Sequence, residues 1–242
     1  MKYALVGYGK MGRAIEEAAG VRGHACTAVI DKSAKLERVS RTMDDASWRG
    51  VKVAFEFTRP AAAKENVIAL LRRGVAVVCG TTGWDAADPA VRRAAASAKR
   101  GCVIAANFSI GMNLFYAAVE EAARSYLAVP GYDPWIAEWH HKQKADAPSG
   151  TARRLAAIVG EAGGGAVPVA AVRAGHEPGR HLVGFDGPDD AVTLAHAARG
   201  RGGFARGAVL AAEWIQGRRG IHGFEDVVAD LVRSARRLGG RR

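Results

Sequence analysis

The chain has 242 residues, 49% of them hydrophobic and 24% charged, which suits one large domain or two modest ones and marks no long disordered region. No apolar run approaches the ~20 residues of a membrane helix, and the run from Tyr3 to Val6 is too short for a secretory leader, so a cytoplasmic protein without a membrane partner is expected. The net charge of +11 favours anionic partners, either nucleic acid or a phosphate-bearing coenzyme with an acidic substrate.

Through the first hundred residues short apolar runs alternate with helical patterns. Strands are predicted over 2–6, 25–30, 51–57, 75–79 and 102–106, and helices over 11–19, 61–73 and 89–100. Met11, Ile15 and Ala18 share one face of the first helix; Ala63, Val67 and Leu70 share one face of the second, which Gly74 closes. Such alternation argues for a parallel sheet covered on both faces. The Val, Ile, Ala and Cys content suits strands buried on both sides. Cys26, Cys79 and Cys102 all lie in these runs. Their odd number and the lack of a CxxC spacing make them buried small side chains, not a disulfide frame or a zinc site; no metal is expected.

Beyond residue 108 the pattern changes. A long helix over 111–127 precedes a strand at 134–139, a very polar stretch and a helix over 150–161. A glycine loop at 163–165 leads to strands at 167–173, 181–185 and 191–196, which suggest a smaller, partly antiparallel sheet. Helical periodicity returns over 204–216 and 224–238, where two helices can pack back on the first domain. The chain is therefore expected to cross between domains near Phe108 and Gly203, with 1–108 and 204–242 forming one and 109–203 the other. Basic residues scatter along the chain; only Arg236, Arg237, Arg241 and Arg242 cluster, at a terminus expected to fray. No helix-turn-helix, zinc module or aromatic RNA-binding motif accompanies the charge, so nucleic acid is not expected as a partner.

Gly7, Tyr8, Gly9, Lys10, Met11 and Gly12 form a GxGxxG pattern directly between the first strand and the first helix. Gly7 permits the tight turn, Gly9 lets backbone approach a pyrophosphate, and Gly12 allows close helix–strand packing. The helix start adds free N–H groups and a partial positive charge. Asp31 ends the second strand about twenty residues further on, where an acid binds the adenine ribose hydroxyls. Lys32 and Lys35 beside it can accommodate a 2′-phosphate, so NADH and NADPH both stay open. Lys10 is either a phosphate contact or a solvated helix residue. Three more loops share this carboxyl edge, where ligands of such sheets sit. They are Phe57-Thr58-Arg59-Pro60, Gly80-Thr81-Thr82-Gly83, and Asn107-Phe108-Ser109. Arg59 either faces coenzyme or a carboxylate, or merely opens the next helix. The fold class expected is α/β: a Rossmann-type parallel-sheet domain plus a smaller α+β domain with a mixed sheet.

The stretch from Glu138 to Thr151 concentrates ionisable groups. His140, His141 and Lys144 form a proton-transfer set, because histidine titrates near neutrality and a lysine desolvated beside cations can too. Ser149, Gly150 and Thr151 then start a helix and offer N–H groups and two hydroxyls to an anion such as a carboxylate. As a metal pair, the histidines lack a third ligand nearby at suitable spacing. Asp146 is a turn former or a partner for a lysine.

Taken together, HHxxKxDAPSGTA resembles the signature of the 4-hydroxy-tetrahydrodipicolinate (dihydrodipicolinate) reductases at every defining position. GYGKMG, FTRP, GTTG, ANFSIGMN, VRAGHEPGRH and the closing GFED helix extend the resemblance over most of the chain. The resemblance implies reduction of a cyclic dicarboxylate of the diaminopimelate and lysine pathway by NADH or NADPH, in a homotetramer assembled through the second domain. It implies His140 and Lys144 as proton donors. Substrate binding falls to His141, Gly150 and Thr151, beside Ser149. The coenzyme falls to the stretches from Gly7 to Gly12, Gly80 to Thr82 and Ala105 to Phe108, with Asp31. The nucleotide loop is one residue shorter than the family's usual form, and Lys10 stands where many members have arginine, which leaves coenzyme preference open. Arg173 and Arg201 serve the substrate site or a subunit interface. The alternatives are a related amino-acid or imino-acid dehydrogenase, and a non-catalytic nicotinamide-binding sensor.

Overall fold

Strand and helix alternate from the first residues of the computed structural model, which describes residues 1–239. In chain order come β1 (Lys2–Val6), α1 (Lys10–Val21), β2 (Ala25–Ile30), β3 (Val39–Ser40), β4 (Val53–Glu56), α2 (Pro60–Arg72), β5 (Ala76–Cys79), α3 (Pro89–Ser97) and β6 (Gly101–Ile104). Then follow α4 (Ile110–Tyr126), β7 (Asp133–His140), α5 (Gly150–Val159), β8 (Val169–Arg173), β9 (Arg180–Asp186) and β10 (Ala191–Ala197). The chain closes with α6 (Gly202–Trp214), β11 (Gly220–His222) and α7 (Phe224–Gly239). Met1–Ile110 and the chain from Arg201 onward form one compact unit; Gly111–Gly200 forms a second. Arg241 and Arg242, expected to fray, lie outside the described residues.

The first unit is a seven-stranded sheet of order β11-β6-β5-β4-β1-β2-β3, with every pairing parallel. Both faces are covered, as the unbroken apolar strands require. Tyr3, Leu5, Phe55 and Val78 pack with Ile15 of α1, Val209 of α6 and Phe224 of α7. Val6, Ala54, Val77 and Cys102 pack with Leu70 and Leu71 of α2 and Val91 of α3. Burial raises all three thiols, Cys26 to about 11 and Cys102 to about 12, and Cys79 further. Cys79 and Cys102 are buried and Cys26 is half-buried.

Two strands escape the sequence pattern. β3 and β11 are two and three residues long, too short to show a period, and each only extends an edge of the sheet. Strand order reverses between β1 and β4, so the loops that follow these strands flank the crevice where such sheets bind ligands.

The second unit is a mixed sheet of order β10-β9-β7-β8. β9 runs antiparallel to both β7 and β10, whereas β8 is parallel to β7. Ile136, Val183 and Phe185 face Phe115 and Val119 of α4 and Leu155 and Ile158 of α5. Strand alternation turns Trp135, Ala137 and Trp139 to the opposite face. Register sets Trp135 beside Gly184 and Thr193, Ala137 beside Ala170, Leu182 and Ala195, and Trp139 beside Val172. Trp135 lies flat on Gly184, where a Cβ would stand 2.1 Å from its ring. Charges stand only at the ends of this apolar band, Asp133 and Asp186 at one and Arg180 at the other. No helix among the described residues is long and apolar enough to cross a membrane.

Candidate active site

The nucleotide turn is shaped by contacts that only glycine allows. Gly7 has φ +95°, and a Cβ there would lie 2.2 Å from the Phe57 carbonyl oxygen. At Gly12 a Cβ would lie 2.4 Å from the Gly7 oxygen, which presses α1 onto the turn. Gly9 differs, because a Cβ there meets nothing within 4 Å. Its glycine keeps open space in front of the α1 N-terminus, where Lys10 is exposed and Met11 half-buried. The donor set and this space fit a pyrophosphate.

Asp31 is held by its own surroundings. One carboxylate oxygen accepts from the Tyr8 N–H at 2.7 Å, and the other from the Ser33 and Ala34 N–H groups and the Ser33 hydroxyl. Burial works to raise this carboxyl, but those hydrogen bonds outweigh it and bring it down to about 2. Asp31 is thus ionised and clamps the turn to the end of β2, with Lys32 exposed beside it. Arg38 pairs with Glu16 at 2.6 Å and reaches the Tyr8 hydroxyl at 2.6 Å, so a further cation stands on this side that the sequence did not single out.

The other edge loops are tied together. The Thr58 N–H donates to Thr81 Oγ1 at 2.8 Å. The buried Glu56 carboxylate accepts from the Thr58 hydroxyl, from Asn66 at 3.1 Å and from the Cys79 thiol at 3.2 Å. Gly80 lies under the Phe57 ring. Arg59 is the exposed residue before α2, Thr82 is exposed, and Thr81 is buried. Ala105 donates from its N–H to the Cys79 carbonyl at 3.1 Å, Ala106 is exposed, Asn107 accepts from the Ser109 N–H, and Phe108 is buried against Phe224.

In the second unit the polar stretch is built on Glu138. Alternation along β7 puts Ile136, Glu138 and His140 on the packed face, so a carboxylate enters the core and must find donors there. It finds three, and two histidine nitrogens stand close by. Oε1 accepts from the Ser149 N–H at 2.8 Å and from Arg173 Nη2 at 2.7 Å. Oε2 accepts from the Ser149 hydroxyl and lies 3.3 Å from both His140 Nδ1 and His181 Nε2. Burial pushes the Glu138 carboxyl up, but the Ser149 and Arg173 hydrogen bonds prevail and hold it below the usual range. Ser149 also caps α5, accepting from the Ala152 N–H at 3.1 Å. One carboxylate therefore holds the end of β7, the start of α5 and, through Arg173, β8.

His141 follows as the first loop residue, its N–H donating to the Glu177 carbonyl at 2.8 Å. Lys144 donates to Asp146 at 2.5 Å, and the other Asp146 oxygen accepts from the Gly150 N–H at 3.3 Å. Lys144 thereby stands at the helix start, beside exposed Gly150 and half-buried Thr151. The Arg173 guanidinium also reaches the Asp146 carbonyl at 2.5 Å, which gives that residue a place in the site. Arg201 falls in the other unit.

Three groups that could share an ion do meet here, though not around the His140–His141 pair. Glu138, His140 and His181 each offer a donor atom, all within 4.8 Å of one another, the set a divalent ion uses. His141 is not among them; as the next residue along the chain it leaves the packed face. The third partner, His181, comes from β9, where register sets it directly across from Glu138. Arg173 and Ser149 already balance and engage the carboxylate, so the group reads as an internal hydrogen-bonded network.

Gly179 was also missed. It has φ +145°, and a Cβ there would lie 3.0 Å from His140 Nε2. Gly179→Ala is expected to crowd that nitrogen and lower turnover about tenfold or more, since small misplacements at a reacting group carry such costs. Steady-state kinetics beside coenzyme titration checks it; an unchanged kcat would argue that Nε2 is not the working nitrogen.

A parallel sheet with a glycine turn at its switch point and an ionised acid at the next strand end defines a dinucleotide-dependent oxidoreductase. The family profile described as dihydrodipicolinate reductase, N-terminus, matches residues 1–108, and that described as dihydrodipicolinate reductase, C-terminus, matches residues 111–228. A 4-hydroxy-tetrahydrodipicolinate reductase of Christiangramia forsetii is 33% identical, over 97% of this chain and 100% of its own length. One of Chromobacterium violaceum is 38% identical over 76% of this chain and 75% of its own. In fold, the chain matches a dipicolinate-bound dihydrodipicolinate reductase from Paenisporosarcina sp. TG-14 with a TM-score of 0.79 at 24% identity, over 93% of this chain and 98% of that one. The chain belongs to the dihydrodipicolinate reductase family.

Proposed function

We propose that the chain reduces 4-hydroxy-tetrahydrodipicolinate to tetrahydrodipicolinate, for diaminopimelate and lysine synthesis, with NADH or NADPH as reductant. The observation that carries this reading is the segment in which His140, Lys144 and the helix start at Ser149, Gly150 and Thr151 are organised around buried Glu138. The coenzyme supplies a hydride. Gly7 to Gly12 would hold its pyrophosphate and Asp31 with Lys32 its adenine ribose. Arg59, Gly80, Thr81, Thr82 and residues 105–108 would hold its nicotinamide half. As negative charge develops on the substrate ring, Lys144 and protonated His140 stabilise it and deliver the proton. His141 and the α5 N-terminus take the carboxylates. Purified protein with freshly generated substrate should oxidise one or both coenzymes, read from nicotinamide absorbance. No oxidation of either would sink the reading.

A proton balance tests the acid separately. Burial lowers His140 below its ordinary range, against the pull of Glu138 and with help from Lys144 and Arg173. Near neutrality the free chain therefore carries His140 mainly neutral. A bound dicarboxylate brings negative charge and raises its pKa, so binding should take up a proton. Dipicolinate, the ligand in the Paenisporosarcina structure, is titrated by calorimetry in buffers of differing ionisation enthalpy. Net uptake is the expected result, and zero uptake or release counts against His140 as the acid.

We also propose that the chain acts in the cytoplasm as a homotetramer, with a second copy covering the open face of the mixed sheet. The support is the apolar band centred on Trp135, Ala137, Leu182 and Ala195, with opposite charges at its two ends that an antiparallel copy can pair. Ala195→Glu should dissociate the assembly in light scattering. A monomeric wild-type protein at micromolar concentration would overturn the proposal.

A further inference from the structure

Three hydrogen bonds and two close histidine nitrogens on one buried carboxylate are more than a strand needs. A buried charge is costly to desolvate, and apolar residues of similar volume often serve stability as well or better. Both histidine nitrogens stand 3.3 Å from the same oxygen, and one of those histidines is the acid of the proposed reaction. His140 and His181 also contact each other edge to face, with ring centroids 5.2 Å apart. His140 Nδ1 and His181 Nδ1 are both buried without a hydrogen-bond partner. The Nδ1 of His140 lies 3.3 Å from Glu138 Oε2, short of full hydrogen-bond geometry, and a small ring rotation completes that bond. The Nε2 of His140 lies on the other side of the ring, against the Gly179 backbone.

We infer that Glu138 and His181 are the positioning pair behind the proton donor: Glu138 fixes the His140 proton on Nδ1, so that Nε2 carries the transferable one, and His181 shares the same oxygen and moderates its pull. This rests on the proposed reaction, and adds to it two residues that never touch substrate. The chemistry is simple. Neutral His140 keeps its Nδ1–H on the carboxylate and presents a lone pair at Nε2. A proton taken up at Nε2 makes the imidazolium, which Glu138 stabilises, and transfer from Nε2 restores the starting tautomer. His181 stays neutral, since burial holds it down at about 4; its Nε2 lies 3.3 Å from both the Ser149 hydroxyl and Glu138 Oε2, and its Nδ1 has no partner. The charged and titratable groups around His140 are Glu138 on its own strand, Arg173 on β8, His181 on β9, and Lys144 with Asp146 on the following loop. His196 stands across from His181 on β10, one strand further away.

Two measurements test this on the full chain. Long-range proton–nitrogen correlation spectra report histidine tautomers without any turnover. Neutral His140 is expected as the Nδ1–H form in the wild type and as a mixture in Glu138→Gln; a pure Nε2–H form in the wild type overturns the inference. In kinetics, Glu138→Gln should lower kcat by about a hundredfold with KM within about threefold. It should also move the falling alkaline limb about one pH unit down, because the acid loses its counter-charge. His181→Phe removes a competing donor and should move the limb up. A purely structural role would move neither limb, and equal shifts in one direction would also overturn the inference. Thermal melts followed by circular dichroism show that each variant is folded, and Glu138→Asp, which keeps the charge, should recover most of kcat. A wild type without turnover refutes the reaction, whereas an active wild type with unshifted variants refutes only the positioning pair.

Discussion

Lys144→Ala is expected to lower kcat by about 10²–10⁴ while coenzyme affinity stays within about twofold, the scale on which general acids and positioned charges act. The reason lies in where the ammonium sits. It is a quarter exposed, tied to Asp146 at 2.5 Å, and that carboxylate also receives the Gly150 N–H. Removing Lys144 thus withdraws positive charge from the helix start and leaves Asp146 uncompensated there. The nucleotide turn belongs to the other unit. His140→Gln should fall in the same range, and the double variant should cost much less than the product of the two, because residues that act on one proton transfer are not additive. Single-turnover kinetics beside coenzyme titration makes the measurement. A Lys144→Ala enzyme that keeps a third or more of kcat would remove lysine from the chemistry, and equal losses in kcat and coenzyme affinity would show a global effect instead.

Much of this arrangement was legible in the sequence, for identifiable physical reasons. Period-2 and period-3.6 patterns are local, so the five long strands of the first unit and the helices around them could be read directly. The GxGxxG turn was legible because strand, glycines, helix start and Asp31 lie within a few tens of residues. The loop from His140 to Thr151 was legible for the same reason. What stayed hidden was assembled by register. Arg173 and His181 meet Glu138 from strands well downstream, and nothing in their own neighbourhoods announces it. One signal did exist. Ile136, Glu138 and His140 alternate onto one face of β7, so a carboxylate had to be buried there and demanded cations from the neighbouring strands. Pro178-Gly179 signalled a turn, but nothing local showed that the glycine, at φ +145°, also leaves room for the His140 ring. β3 and β11 were missed because two or three residues cannot carry a period.

The nucleotide turn separates space kept for a ligand from space needed by the fold, and two glycines should report them apart. In Gly7→Ala the new methyl meets the Phe57 carbonyl at 2.2 Å, and φ is +95°. Overpacking costs about 1–3 kcal/mol and the left-handed backbone roughly 1–2 more. For a chain of this size a loss of about 2–5 kcal/mol lowers Tm by roughly 5–15 °C. Coenzyme affinity should fall with it, because Tyr8, whose N–H holds Asp31, moves too. Gly9→Ala is the contrasting case. Its φ of −80° is one any residue adopts, and its Cβ meets nothing within 4 Å. Tm should therefore stay within about 1 °C of the wild type, while coenzyme affinity falls at least about tenfold, because the methyl occupies the place a pyrophosphate needs against the α1 N-terminus. Calorimetric melts and fluorescence titration with NADH and NADPH, run on both variants, give the four numbers required. If Gly9→Ala binds either coenzyme as the wild type does, the pyrophosphate is not held at this turn. If it melts far below the wild type, the open space at Gly9 is doing structural work that its surroundings do not reveal.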